Sequence, residues 1–192
     1  MTFLYILIGD NTGVKLRYTN VPQPKSAGVY YTISNGRMPS ETVTNVEAAC
    51  KLAAKYGQVI HPFAFRTHTH DLGTAVSGWK VSPDMTWTLI GKQDPQMPQM
   101  FYPVADNSTT MTQGDRLATR CTMDNFKDHA VSLSFWTWLV CQFNLKRALR
   151  SNKFLFHFIN LQVWMGTTRE DEMCNFYMMY WVDGTETMSE CE

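Results

Sequence analysis

The side chains best suited to chemistry fall in two short stretches, FAFRTHTHDLG at 63–73 and EMCNFYMMYW at 172–181. A β-strand turns alternate residues to opposite faces, so residues two apart point the same way. Read as a strand, the first stretch places Ala64, Arg66, His68 and His70 on one face and Phe63, Phe65, Thr67 and Thr69 on the other. Two imidazoles in neighbouring same-side positions can grip one metal ion, with a guanidinium one step away. The second stretch puts Met173, Asn175 and Tyr177 on one face, opposite Cys174, Phe176 and Met178. If the two strands face each other, Met173 meets His68 and His70, while Asn175 and Tyr177 lie near Arg66. Two imidazoles and a thioether suit copper better than zinc, calcium or magnesium, because soft sulfur favours Cu(I). Three protein donors leave a position open for oxygen or substrate. The plainer alternative is that Met173 fills core space and the histidines are ordinary packed or polar residues.

Elements that can position these residues are legible along the rest of the chain. FLYILIG, VKLRYT, AGVYYTI, VIHPFAFRTHTH, TAVSGWKV, TWTLIG, MFYPV, RLATRCTM and MCNFYMMYW are short, alternating and rich in β-branched and aromatic residues, and each reads as a strand. Turn-forming clusters such as VPQPKS, SNGRMPS, SPDM, KQDPQMPQ and TQGD separate them. The pattern predicts an all-β fold, an antiparallel sandwich or jelly roll. NVEAACKLAAKYG reads as a short helix or an irregular connection. The segment 131–162 fits poorly: apolar blocks flank a basic middle, without strand alternation. Its apolar run FWTWLV is far shorter than the roughly 20 residues a bilayer requires. A helical hairpin or amphipathic insertion is one reading of it, and text never selected to fold is another.

Bulk properties narrow the function classes. At 192 residues, with 44% hydrophobic residues, the chain is long enough for one domain with a real core. Lys plus Arg and Asp plus Glu both number 17, so no basic field marks nucleic acid or an anionic membrane as partner. The five cysteines (Cys50, Cys121, Cys141, Cys174 and Cys191) are widely scattered, without zinc-finger spacing. Such scatter suits disulfides in an oxidising compartment, or buried thiols. The opening MTFLYILIGDNTG has neither a basic flank nor a cleavage site and is not read as a secretory signal. His61 is expected to pack or hydrogen-bond, His129 and His157 receive no role, GDRL reads as a turn, and GTTREDEM reads as a solvated loop. No Ser-His-Asp order, phosphate loop or dinucleotide fingerprint is present.

Taken in order, HPFAFRTHTHDLGTAVSGWKV, WTLIGKQDPQMPQMFYPV, GDRLATRC and DEMCNFYMMYW resemble the C-terminal domain of the peptidylglycine α-hydroxylating monooxygenases, which are copper type II, ascorbate-dependent enzymes. The resemblance implies an antiparallel jelly-roll β-sandwich. It implies that His68, His70 and Met173 hold a catalytic copper. It also implies that Arg66, Asn175 and Tyr177 hold the terminal carboxylate of a glycine-extended peptide. The implied reaction is hydroxylation of the glycine Cα, with molecular oxygen as co-substrate and ascorbate as reductant. Together with cysteine spacing, it suggests disulfides Cys121–Cys174 and Cys50–Cys191, a free Cys141, and a place in the secretory pathway or outside the cell.

Two departures from the family qualify these expectations. The family's first domain carries a second copper on three histidines, two of them adjacent, and this sequence has no His-His pair. Residues 1–13 are therefore expected to be a remnant of that domain or a disordered start. Residues 14–192 form the C-terminal copper domain, interrupted by 131–162. Every valine codon begins with GT and glutamine can be written CAG, so that segment reads as translated intron. With one copper and no electron reservoir, the chain alone is expected to turn over poorly. A non-catalytic copper-binding or interaction module, and a purely structural β-sandwich, stand as competing readings.

Overall fold

A computed structural model describes residues 13–34, 36–127, 131–133 and 172–184, and among them every regular element is a β-strand. The strands are β1 (Lys25–Ile33), β2 (Gly36–Met38), β3 (Thr42–Lys51), β4 (His61–His68), β5 (Gly73–Val81), β6 (Trp87–Gln93), β7 (Tyr102–Pro103), β8 (Arg116–Asn125), β9 (Val131–Leu133) and β10 (Asn175–Asp183). They form one sheet of order β1-β10-β4-β7, a second of order β3-β8-β5-β6, and a small β2-β9 pair. All pairings are antiparallel. The two larger sheets make a β-sandwich. No helix among the described residues is long and apolar enough to cross a membrane.

Alternation decides which way each strand faces. On β10, Phe176, Met178, Tyr180 and Val182 are buried, and on β4 Phe65 and Thr67 are buried, so these line the core. Val76, Ile90, Leu117, Cys121 and Met123 meet them from the second sheet. Polar and covalent ties cross the interior. Thr32 of β1 hydrogen-bonds Thr119 of β8, the Tyr30 hydroxyl donates to the Lys51 carbonyl, and Cys121 and Cys174 form a disulfide with Cα atoms 5.9 Å apart. Cys50 is also disulfide-bonded; Cys141 and Cys191 lie outside the described residues.

The sandwich is narrow where the site strands lie. Phe65 and Phe176 stack with centroids 5.7 Å apart and planes 10° apart. Their rings press on glycines of the facing sheet: a Cβ on Gly91 would sit 2.3 Å from Phe65, and one on Gly78 would sit 2.1 Å from Phe176. Only a residue without a side chain allows this approach.

Some elements differ from their sequence reading. The start of NVEAACKLAAKYG is the end of β3, because Thr42–Lys51 pairs along its whole length with β8 and that ladder overrides the helix preference of an alanine-rich run. The rest is a loop that turns at Gly57, whose φ is 76°. VKLRYT forms no strand: no described residue pairs with it, and Val14, Leu16 and Tyr18 are exposed. FLYILIG lies outside the described residues. The segment set apart from position 131 begins with three residues that pair with β2.

Gly78→Ala is expected to destabilise the protein by about 1–3 kcal/mol, the usual cost of overpacking a tight core. Urea unfolding measures this, and adding Phe176→Leu to Gly78→Ala should recover part of the loss.

Candidate metal centre

β4 and β10 are neighbours in antiparallel register, with Asn175 opposite His68 and Tyr177 opposite Arg66. Both pairs lie on the outer face of the first sheet, away from the Phe65–Phe176 stack. His68 and His70 have ring centroids 5.3 Å apart at nearly a right angle. Continuing the register by one non-bonded step puts Met173 opposite His70. The ladder itself stops short, for β4 ends at His68 and β10 begins at Asn175. Thus His70 and Met173 share the expected face but stand just past the ends of their strands.

Side chains take over where the ladder ends. Glu172 is 1% exposed, and its carboxylate accepts the backbone N–H groups of His70 and Met173 at one oxygen and of Leu72 at the other. The reading of GTTREDEM as a solvated loop is therefore wrong for Glu172, whose parity with Cys174 turns it inward. From the other side comes the loop between β6 and β7. Gln96 Nε2 donates to the carbonyls of His70 (2.7 Å) and Gly73 (3.0 Å). Gln99 Nε2 donates to the carbonyls of Thr69 and Pro95, which turns its Oε1 toward Nδ1 of His68. Read as a turn cluster, KQDPQMPQ gave no hint of these roles beyond its repeated glutamines.

That network selects a tautomer. Oε1 can only accept, so His68 donates from Nδ1–H and leaves the Nε2 lone pair for a metal, the usual outcome when a second residue holds the far nitrogen. Among the described residues no three His, Cys, Asp or Glu side chains converge as a metal site. A thioether donor for a centre built on these imidazoles would be Met173, opposite His70 in the continued register. Asn175 Nδ2 lies 3.7 Å from its sulfur. Two imidazoles and a thioether are the donors of a soft, copper-type site.

Beside this set, two buried polar atoms have no hydrogen-bond partner among the described residues: Arg66 Nε and Asn175 Oδ1. The Arg66 guanidinium lies over the Tyr177 ring, 5.5 Å from its centroid, and one of its terminal nitrogens is 3.5 Å from Gln99 Oε1. Asn175 Nδ2 also donates to the Tyr177 hydroxyl at 3.3 Å. Leaving a buried donor or acceptor unmet costs about 1–3 kcal/mol, which a polar group placed at this corner would offset.

The remaining histidine of β4 does something else: His61 stacks on Trp181 at 3.7 Å, with Lys25 Nζ 3.1 Å from the centroid of the Trp181 ring. His129 and His157 lie outside the described residues. GDRL is a turn at Gly114 (φ 98°), where Asp115 pairs with Lys80 at 3.4 Å. A groove of about 690 Å³ on the outer face of the second sheet is lined by Trp79, Trp87, Lys92 and Arg120 and contains none of the residues above.

Nitrogen-15 NMR of the metal-free protein should show His68 protonated at Nδ1 when neutral. Gln99→Ala should remove that preference. A wild-type ring protonated mainly at Nε2 would contradict the Gln99 contact.

Comparison with known proteins accords with this geometry. Residues 25–135 and 159–192 match the copper type II ascorbate-dependent monooxygenase, C-terminal domain. Between these two parts the match lapses over 136–158, inside the segment set apart on sequence. The chain is 36% identical over 182 residues to peptidyl-glycine alpha-amidating monooxygenase B of Xenopus laevis, covering 94% of this chain and 17% of that protein. It is 35% identical over 183 residues to peptidylglycine alpha-amidating monooxygenase of Rattus norvegicus, covering 94% of this chain and 15% of that protein. The chain thus spans about a sixth of the length of these relatives. It belongs to the copper type II, ascorbate-dependent monooxygenase family and represents that family's C-terminal domain.

Proposed function

We propose that this chain is the catalytic-copper domain of a monooxygenase that hydroxylates the α-carbon of a C-terminal glycine, the first step of peptide amidation. The observation that carries the reading is that one register, β4 on β10 and its continuation, brings a soft donor set beside two buried polar atoms without a partner among the described residues, Arg66 Nε and Asn175 Oδ1. His68, His70 and Met173 would hold the copper, which supplies one-electron chemistry toward molecular oxygen.

The other residues bind and orient the peptide. A guanidinium suits a planar carboxylate, and charge-assisted hydrogen bonds are the strong ones. Arg66 therefore takes the peptide's terminal carboxylate, with the Tyr177 hydroxyl and Asn175 Nδ2 completing the donor set. The unpartnered Oδ1 of Asn175 accepts the glycine N–H. Held at both its carboxylate and its N–H, the glycine presents its α-carbon toward the neighbouring His68 and Met173. Fixing reacting groups in this way lowers the barrier through positioning alone. Tyr31, 5.9 Å from Tyr177 and half-exposed, extends the surface toward preceding peptide residues.

Hydroxylation consumes two electrons for each oxygen molecule, and one copper stores one. A second copper, held by the family's first domain, would supply the other electron, with ascorbate as the reductant. The disulfide Cys121–Cys174 fits a secretory or extracellular location, where such bonds persist.

Arg66→Ala should weaken binding of a glycine-extended peptide by about 10–100-fold, the worth of a charged hydrogen bond, while its amidated counterpart changes little. Isothermal titration with the two peptides makes the comparison. Equal losses for both would contradict the assignment of Arg66 to the carboxylate.

A further inference from the structure

Glu172 belongs neither to the donor set nor to the peptide contacts, and its placement calls for its own account. Its side chain points into the core with Cys174, so it cannot reach a metal on the outer face. Its two oxygens nonetheless hold the backbone of both donors that stand beyond the ladder. One accepts from His70 and Met173, and the other from Leu72 at 2.8 Å. The His70 carbonyl is likewise held by a side chain, Gln96. Where the ladder between β4 and β10 has ended at His68 and Asn175, the carboxylate substitutes for the missing rung.

We propose that Glu172 is the positioning residue of the metal centre, setting the separation of His70 from Met173; this rests on the reading of those two residues as copper ligands. A carboxylate is the group the position requires. Ionised, it is acceptor-only at both oxygens and can take N–H donors on each. Glutamine, of the same shape, presents one oxygen and one NH₂. It must turn a donor toward either the His70–Met173 pair or Leu72. Cα positions on both sides would then separate to relieve the clash. Residues that orient metal ligands from outside the donor set typically matter about 10–100-fold in affinity.

The test uses the full chain in three forms: wild type, Glu172→Gln and Thr32→Val. The last removes the buried Thr32–Thr119 hydrogen bond, a polar tie of the same core that touches no donor. In the metal-free proteins, Glu172→Gln should speed amide exchange at His70, Leu72 and Met173 by about tenfold or more over Phe176 and Met178, and Cu(I) affinity against a competing chelator should fall about 10–100-fold. Thr32→Val should lower overall stability and leave Cu(I) affinity unchanged. Unchanged exchange at the three amides, or an equal loss of copper affinity in Thr32→Val, would overturn the proposal. If Glu172→Gln does not fold, the wild type still decides. Through-hydrogen-bond NMR couplings from the three amides to the Glu172 carboxylate carbon are expected, and their absence would overturn it. A wild type that shows the couplings but binds no Cu(I) would instead remove the copper reading and with it Glu172's role toward a metal.

Discussion

The antiparallel register of β4 on β10 is the constraint from which the rest of the site follows. Opposing Asn175 to His68 and Tyr177 to Arg66 sends one row of side chains outward as a polar site and the other inward as core. A slip of one residue would exchange the two rows, burying imidazoles and exposing phenylalanines. That alternative is blocked from inside. Phe65 and Phe176 stack on each other and fill the gap above Gly91 and Gly78. The core thus enforces the geometry of a site that lies wholly on the other side of the sheet.

Covalent and electrostatic ties extend this control past the ends of the strands. Cys174, immediately after Met173, is bonded to Cys121 in the facing sheet and fixes the approach to β10. Glu172, immediately before Met173, gathers His70, Leu72 and Met173 around one buried carboxylate. Met173 is therefore held by both neighbours, each pointing inward, while its own side chain points out. The loop between β6 and β7 supplies the complementary hold on the histidines through Gln96 and Gln99. Rigid support of this kind suits a three-donor site, because the donors need not be drawn together at the cost of local order.

Much of this could be read from sequence, and what could not has physical causes. Period-two alternation exposed the two faces of 63–70 and 173–181, since a half-buried strand writes its orientation into its residues. The sandwich class followed from the number of such runs. β3 was ambiguous because its alanines favour a helix locally, while the ladder that makes it a strand comes from β8, far along the chain. Glu172 was misjudged because neighbouring charged residues gave its stretch a solvated look, and burial of a carboxylate depends on amide donors brought by another strand. Gln96 and Gln99 were hidden in turn chemistry for the same reason. The ill-fitting segment lies, beyond its first three residues, outside the described residues. Those three form β9, because a short strand needs only a partner, here β2, to form.

The proposed role of His68, His70 and Met173 as donors to one copper ion can be tested by spectroscopy. X-ray absorption on the Cu(I)-loaded chain, compared with Met173→Leu, tests it most directly. A mixed shell of imidazole nitrogen and one sulfur scatterer is expected in the wild type, with the sulfur lost and the nitrogen kept in the variant. A sulfur signal that persists in Met173→Leu, or one absent from the wild type, would contradict it.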